Sequence, residues 1–172
     1  RILELSGCGA HLGVHVLPRI DFDRCDYVLC VPTEEALMQY DGLLERYPAV
    51  KTVVLDISRA SRTEMEFFES YFDLAIINHE LAVSANPDLL LENIRDLMLP
   101  QGLLLVSESF SDRWTDMVFG LDEDWWLKST NGHWQSRLRS PQFWQNLLLK
   151  QGYSIEALQQ QDELHTGVYL LT

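Results

Sequence analysis

Short apolar runs alternate along this chain with longer amphipathic stretches, and this alternation constrains the fold more than any other feature of the sequence. The runs are rich in Leu, Ile and Val and mostly lack polar alternation, which is typical of strands buried on both faces of a parallel sheet. We predict strands at residues 1–5, 26–31, 52–55, 74–77, 103–106, 154–158 and 168–171.

Residue patterns typical of helices lie between these strands. We predict helices at residues 34–46, 61–71, 87–98 and 141–152. Thr33 and Asn86 suit N-caps, Pro87 and Pro141 suit first helical positions, and Gly152 suits the residue after a helix end. The alternation predicts a doubly wound α/β sheet. The short gap between the last two strands predicts an antiparallel hairpin at its edge.

The net charge and the cysteine content limit the partners and the cellular location that we expect. The 172 residues suffice for one domain, and 26 acidic against 13 basic side chains give a net charge of −13. Such a surface repels phosphate backbones and anionic lipid, so nucleic acid and membranes are not expected partners. Three cysteines without a CxxC spacing favour a reduced, cytoplasmic location. Because the chain opens at Arg1 directly on a strand, we interpret it as the excised core of a longer protein.

The first predicted strand leads into a glycine cluster, "ILELSGCGAHLG". An acid, Glu4, followed by Gly7 and Gly9 is the layout of a tight strand-to-helix turn under a nucleotide cofactor. The same layout also serves as an ordinary tight turn. His11 and His15 have helical i, i+4 spacing, but no third ligand is evident, so no metal site is predicted.

Three later segments carry a family resemblance: "FDLAIINHELAVSANPDLLLENIRDLMLPQGLLLVSESF", "WTDMVFGLDEDWWL" and "SRLRSPQFWQNLLLKQGY". They resemble the S-adenosylmethionine-dependent C-methyltransferase domains of polyketide synthases and the related pseudo-methyltransferases of fatty acid synthases. The resemblance implies a class I methyltransferase-like Rossmann fold, a seven-stranded, mostly parallel sheet with an antiparallel C-terminal strand. It also implies that residues 1–172 form one methyltransferase-like core domain of a larger synthase.

The cofactor positions that the resemblance implies are degenerate. The acid-apolar-Gly-x-Gly-x-Gly motif of the family is not restored whether the alignment is anchored on Glu4 or on Gly7 and Gly9. Val31 stands where the family has its ribose-binding acid. Asp56 matches the acid that faces the adenine amine.

The catalytic positions are also incomplete. The resemblance implies a His–Glu pair that deprotonates the substrate carbon. Glu108 matches the Glu, but Ala82 replaces the His, and an alanine cannot accept a proton. His79 is a possible substitute base, or simply a histidine at a strand end.

We therefore predict a non-catalytic pseudo-methyltransferase domain that packs against neighbouring synthase domains, with S-adenosylmethionine binding weak or lost. The alternatives are an active C-methyltransferase acting on a β-ketoacyl chain carried by acyl carrier protein, and a cofactor-binding domain without turnover.

Overall fold

Seven strands form one sheet, and the two remaining strands form a separate hairpin. The computed structural model describes residues 1–7, 12–66, 68, 71–84, 86–122, 125–128, 131–161 and 165–172. The strands are β1 (Ile2–Leu5), β2 (Tyr27–Val31), β3 (Lys51–Val54), β4 (Phe72–Asn78), β5 (Met98–Ser109), β6 (Trp126–Lys128), β7 (Trp134–Ser136), β8 (Ile155–Gln161) and β9 (Thr166–Leu171).

The strand order in the main sheet is β3-β2-β1-β4-β5-β9-β8. The first five strands are parallel, and β9 lies antiparallel between β5 and β8. The predicted hairpin at the sheet edge and the antiparallel C-terminal strand are therefore confirmed. Because β1 and β4 are central and parallel, their carboxyl ends open at one edge of the sheet, where ligands bind in folds of this kind.

Eight α-helices and one short 3₁₀ helix (Leu17–Arg19) connect these strands within the described residues. The α-helices are α1 (Gly13–Val16), α2 (Glu34–Met38), α3 (Asp41–Arg46), α4 (Arg62–Met65), α5 (Glu80–Val83), α6 (Pro87–Leu97), α7 (Arg113–Phe119) and α8 (Pro141–Lys150). The side chains of Thr33 and Asn86 cap α2 and α6 as predicted. Gly152 follows α8 with φ of 85°, the left-handed conformation that glycine adopts without strain.

Two predicted helices differ from the structure. The helix expected over residues 34–46 is two helices, because the chain leaves helical geometry at Tyr40 (φ −103°, ψ 1°). Tyr40 is buried and its hydroxyl donates to the Ser6 hydroxyl at 2.6 Å, so tertiary packing overrides the helical pattern. The helix expected over residues 61–71 is regular only over Arg62–Met65; residues 67, 69 and 70 lie outside the described part of the chain.

Two apolar clusters cover the two faces of the sheet. The larger one joins one face of the central strands to α5, α6 and α8, and its members include the fully buried Leu91, Ile94 and Trp144. The smaller one joins the other face of β2 to α2 and neighbouring segments through Val31 and Tyr40. Helices on both faces agree with the apolar, non-alternating strands. Among the described residues, none of the helices is both long and apolar enough to span a bilayer.

Candidate functional site

A cavity of about 320 Å³ opens at the carboxyl edge of the sheet, beside the ends of β1, β2 and β3. Its volume is at the lower end of the range for small-molecule sites, roughly 300–1,000 Å³. Its walls come from the first strand-to-helix turn, the loop after β3 and helix α5. The lining residues are Leu5, Ser6, Gly7, Cys30, Pro32, Leu55, Asp56, Ile57, Ser58, Arg59, Glu80, Val83, Ser84 and Leu90.

Glu4 anchors the first turn from below the cavity. Its side chain is 1% exposed, and its Oε2 accepts a hydrogen bond from the Tyr27 hydroxyl at 2.5 Å. Burial raises the pKa of the Glu4 carboxyl, while the bonds from Tyr27 and the Gly13 backbone lower it. Glu4 is not among the residues that line the cavity, so in this structure it supports the turn.

Gly7 lines the cavity, but other residues of the chain pack tightly around it. Its backbone N–H donates to Oε1 of Glu80. A Cβ at this position would lie 2.8 Å from Cγ of Pro32, so the close approach of Pro32 requires glycine here. Gly9 and His11 lie outside the described residues.

Val31 and Asp56 occupy the two expected cofactor positions beyond the turn. Val31 is 1% exposed and belongs to the smaller apolar cluster, so it offers no hydrogen-bond acceptor to the cavity. Asp56 lines the cavity, but Oδ1 accepts bonds from the backbone and hydroxyl of Ser58 at 3.0 and 2.6 Å. Its Oδ2 lies 3.5 Å from Nε of Arg59. Both carboxylate oxygens of Asp56 therefore have partners within their own loop.

Glu108 is fully buried at the end of β5. One carboxyl oxygen accepts the Leu81 backbone N–H at 2.8 Å, and the other has no partner in the described structure. Burial raises the pKa of this carboxyl to about 8, and the nearby charge of Glu80 adds to the increase. The neutral acid is consequently the main form of Glu108 at pH 7.

Ala82 and His79 lie next to Glu108 along α5 and the loop before it. Ala82 is buried, and its methyl group carries no exchangeable proton. His79 adopts a left-handed conformation (φ 57°) immediately before α5. Its Nδ1 lies 3.3 Å from the Ser109 hydroxyl, and burial lowers its pKa. In the described part of the chain the His79 ring therefore has Ser109, and not Glu108, as its hydrogen-bond partner.

Sequence reasoning missed the roles of Glu80 and Pro32. Glu80 is half-buried and accepts a hydrogen bond from the Gly7 backbone N–H. No local motif signals this contact, because the two residues are 73 positions apart. The described residues contain no group of three His, Cys, Asp or Glu side chains able to hold a metal ion.

The strand order and this edge site define a class I methyltransferase-like fold, and solved structures of such enzymes match it. The CurJ carbon methyltransferase superposes with a TM-score of 0.79 at 21% identity, covering 99% of this chain and 47% of that one. The trans-methyltransferase CalH, solved with S-adenosylhomocysteine, gives 0.80 at 23% identity, covering 99% of this chain and 50% of its own. The C-methyltransferase domain of the citrinin polyketide synthase gives 0.73 at 22% identity, covering 99% of this chain and 45% of that domain.

The sequence relatives that match this chain are polyketide synthases. A highly reducing polyketide synthase of Alternaria alternata is 35% identical over 111 residues, 64% of this chain. The squalestatin tetraketide synthase of a Phoma species is 30% identical over 120 residues, 66% of this chain. The chain spans about 4% of the length of either relative. No protein-family model matches the chain. The chain thus resembles the C-methyltransferase domains of polyketide synthases in sequence and in fold.

Proposed function

We propose that this chain is a methyltransferase-like domain of a polyketide synthase that has lost methyl transfer and serves a structural role. The observation that carries the proposal is that the expected catalytic positions lack a base. Ala82 stands in place of the base, and the remaining Glu108 is buried, mainly protonated and bound to a backbone N–H. Deprotonating a substrate carbon needs a base within hydrogen-bond reach, and neither residue supplies one.

The cavity residues do not fit S-adenosylmethionine. Val31 provides no acceptor for the ribose hydroxyls. The Gly7 N–H, a donor suited to a carboxylate of the cofactor, is already bonded to Glu80, whose negative charge opposes a second carboxylate there. Losing one hydrogen bond from a charged acceptor costs about 1.5–3 kcal/mol, or roughly one to two decades in affinity. These features support loss of cofactor binding.

A structural role within a synthase is supported by helix α7 and the turn after it. Trp114, Met117, Val118 and Leu121 are 61–93% exposed there. Large exposed apolar side chains in one segment are typical of surfaces that pack against another protein or domain. On this proposal residues 1–172 are one domain, its partners are neighbouring domains of the same synthase, and acyl carrier protein is a partner only if transfer is retained.

Calorimetric titration of the purified chain with S-adenosylmethionine and S-adenosylhomocysteine tests the proposal. CalH, solved with S-adenosylhomocysteine, is the positive control under the same conditions. We expect neither heat nor a thermal shift at millimolar ligand. A ligand present at 100 times its Kd stabilises its protein by about 2.7 kcal/mol, so micromolar binding would raise Tm by several degrees.

The two alternatives give different outcomes in the same assay. The cavity of about 320 Å³ with Asp56 in its wall favours a cofactor-binding domain without turnover as the second candidate. That function requires micromolar binding but no methyl transfer to a β-ketoacyl thioester. Binding together with transfer would overturn the non-catalytic proposal and identify an active C-methyltransferase.

A further inference from the structure

A second cleft, of about 420 Å³, lies between α5 and the amino end of α8. It adjoins the first cavity, but its main walls are helical and aromatic. The lining residues are Arg59, Leu81, Ala82, Val83, Ser84, Pro87, Leu127, Arg137, Arg139, Phe143 and Trp144. Three are arginines, and none of these described lining residues is acidic. Arg59 pairs with Asp56 and Arg137 donates to the Val83 carbonyl, so the capacity of the cleft to bind an anion rests on Arg139.

Arg139 is held in the cleft by neutral groups. Its guanidinium donates to the amide oxygen of Gln135 and lies 5.1 Å from the centre of the Phe143 ring. Its backbone carbonyl accepts a bond from Ser111 N–H at 3.3 Å, which fixes the segment to the end of β5. Partial burial lowers the pKa of Arg139, and no carboxylate among the described residues counters this effect. Among the described residues, the guanidinium is therefore held in position without a carboxylate partner.

Trp144 contributes a buried polar group beside the cleft. This residue lines the cleft, is 1% exposed, and its indole N–H has no acceptor in the described structure. A buried donor without an acceptor costs about 1–3 kcal/mol, so such groups are rare in native proteins. Trp144 also lies in the first turn of α8, a ten-residue helix whose amino end carries partial positive charge.

We propose that this cleft binds an oxyanion, a carboxylate or a phosphate, attached to an apolar body. The Arg139 guanidinium offers the planar fork that pairs with two oxygens of either group. The amino end of α8 adds favourable potential. Phe143, Leu127 and Val83 supply an apolar wall for the rest of the ligand. The inference holds whether or not the chain binds S-adenosylmethionine.

Phenyl phosphate, benzoate and inorganic phosphate are the probes for this site. They are titrated into the whole chain, with calorimetry for affinity and the indole N–H resonance of Trp144 as the local readout. We expect phenyl phosphate or benzoate to bind at millimolar concentration and to shift that resonance, and inorganic phosphate to bind more weakly. Which of the two aromatic probes binds more tightly distinguishes a phosphate from a carboxylate ligand.

Arg139→Gln should weaken binding of the preferred probe about tenfold or more, because it removes a charged hydrogen-bond donor. Arg139→Lys keeps the charge but removes the planar guanidinium donors, so it should reduce the affinity by an intermediate amount. Arg24→Gln, an exposed arginine before β2, is the matched control and should leave binding unchanged. Failure of both aromatic probes to bind, or equal loss in the Arg24 variant, would overturn the proposal. So would inorganic phosphate that binds as tightly as phenyl phosphate.

Discussion

Two glutamates are buried near the carboxyl ends of the parallel strands. Glu4 accepts hydrogen bonds from the Tyr27 hydroxyl and the Gly13 backbone, and Glu108 accepts them from the Leu81 and Ala82 backbone. In each carboxyl, one oxygen has no partner in the described structure. Burial raises the pKa of both carboxyls, and that of Glu108 is raised to about 8. The protonation of Glu108 should therefore contribute to the pH dependence of stability.

Glu108→Gln should stabilise the chain increasingly as the pH rises. The carboxyl pKa is raised from 4.5 to about 8, so between these values the folded state keeps a proton that the unfolded state releases. Wild-type stability therefore falls with rising pH in this window, by up to about 1.4 kcal/mol per unit of pKa difference. Gln resembles the protonated acid and does not titrate. Urea unfolding of both proteins across this pH range measures the difference.

Glu92→Gln is the control for this experiment, because Glu92 is exposed on α6 and has no comparable burial. Its unfolding curves show what replacing a surface carboxyl does to stability. If the free energies of unfolding of Glu108→Gln and wild type change in parallel across this pH range, the buried acid is not protonated in the folded state. The argument that Glu108 is a neutral group at pH 7 would then be wrong.

Ala82→His should not restore methyl transfer. The substitution returns a base next to Glu108, but Val31 and the Glu80–Gly7 contact remain at the cofactor cavity. Ala82→Gln is the matched variant of similar size without a base, and Tm values of both show whether the buried position tolerates the larger side chain. Transfer of label from S-adenosylmethionine to a β-ketoacyl thioester is the readout. Activity in the His variant alone would show that cofactor binding survives.

At the scale of elements, Asn93 joins α6 to the loop after β3. Its side-chain amide is buried and donates to the carbonyls of Ile57 and Ala60 at 2.8 and 3.1 Å. These bonds hold the loop that carries Asp56 and Ser58 against the helix. The wall of the first cavity is thus fixed from the helix beneath it.

Asn93→Ala should lower the free energy of unfolding by about 2–4 kcal/mol, because two buried carbonyls lose their donor. For a domain of this size that corresponds to a fall in Tm of roughly 4–16 °C. Asn146→Ala on the exposed side of α8 is the control and should change Tm by about one degree or less. A loss no greater than that of the control would show that water replaces the Asn93 donor.

The sequence predicts the elements well where one local signal governs them. The buried strands, the caps at Thr33 and Asn86 and the edge hairpin follow from apolar runs and cap chemistry alone. The break at Tyr40 could not be predicted, because it depends on a hydrogen bond to Ser6, 34 positions earlier. The same holds for the site: motif position locates Asp56 and Glu108 near the carboxyl ends of the strands, but the contact between Glu80 and Gly7, 73 positions apart, is set by tertiary structure.

For the molecule as a whole, a net charge of −13 predicts that salt stabilises the fold. Repulsion among acidic side chains opposes the compact state, and dissolved salt screens it. Tm should rise by a few degrees between low and physiological concentrations of sodium chloride, as followed by circular dichroism. Choline chloride should have the same effect, since screening does not depend on the cation. A fall in Tm would show that attractive ion pairs outweigh the general repulsion.

Because β9 is antiparallel, both chain ends lie on the side of the sheet where the parallel strands begin. Leu3, Ala75, Leu104 and Leu171 stand in register across β1, β4, β5 and β9. Arg1 and Thr172 are therefore separated by three strand spacings, roughly 14 Å. They lie on the side of the sheet opposite the two cavities. A fluorescent reporter or a surface tether attached at either end would leave both openings accessible. A pair of dyes at the two ends would lose energy transfer only when the sheet itself comes apart.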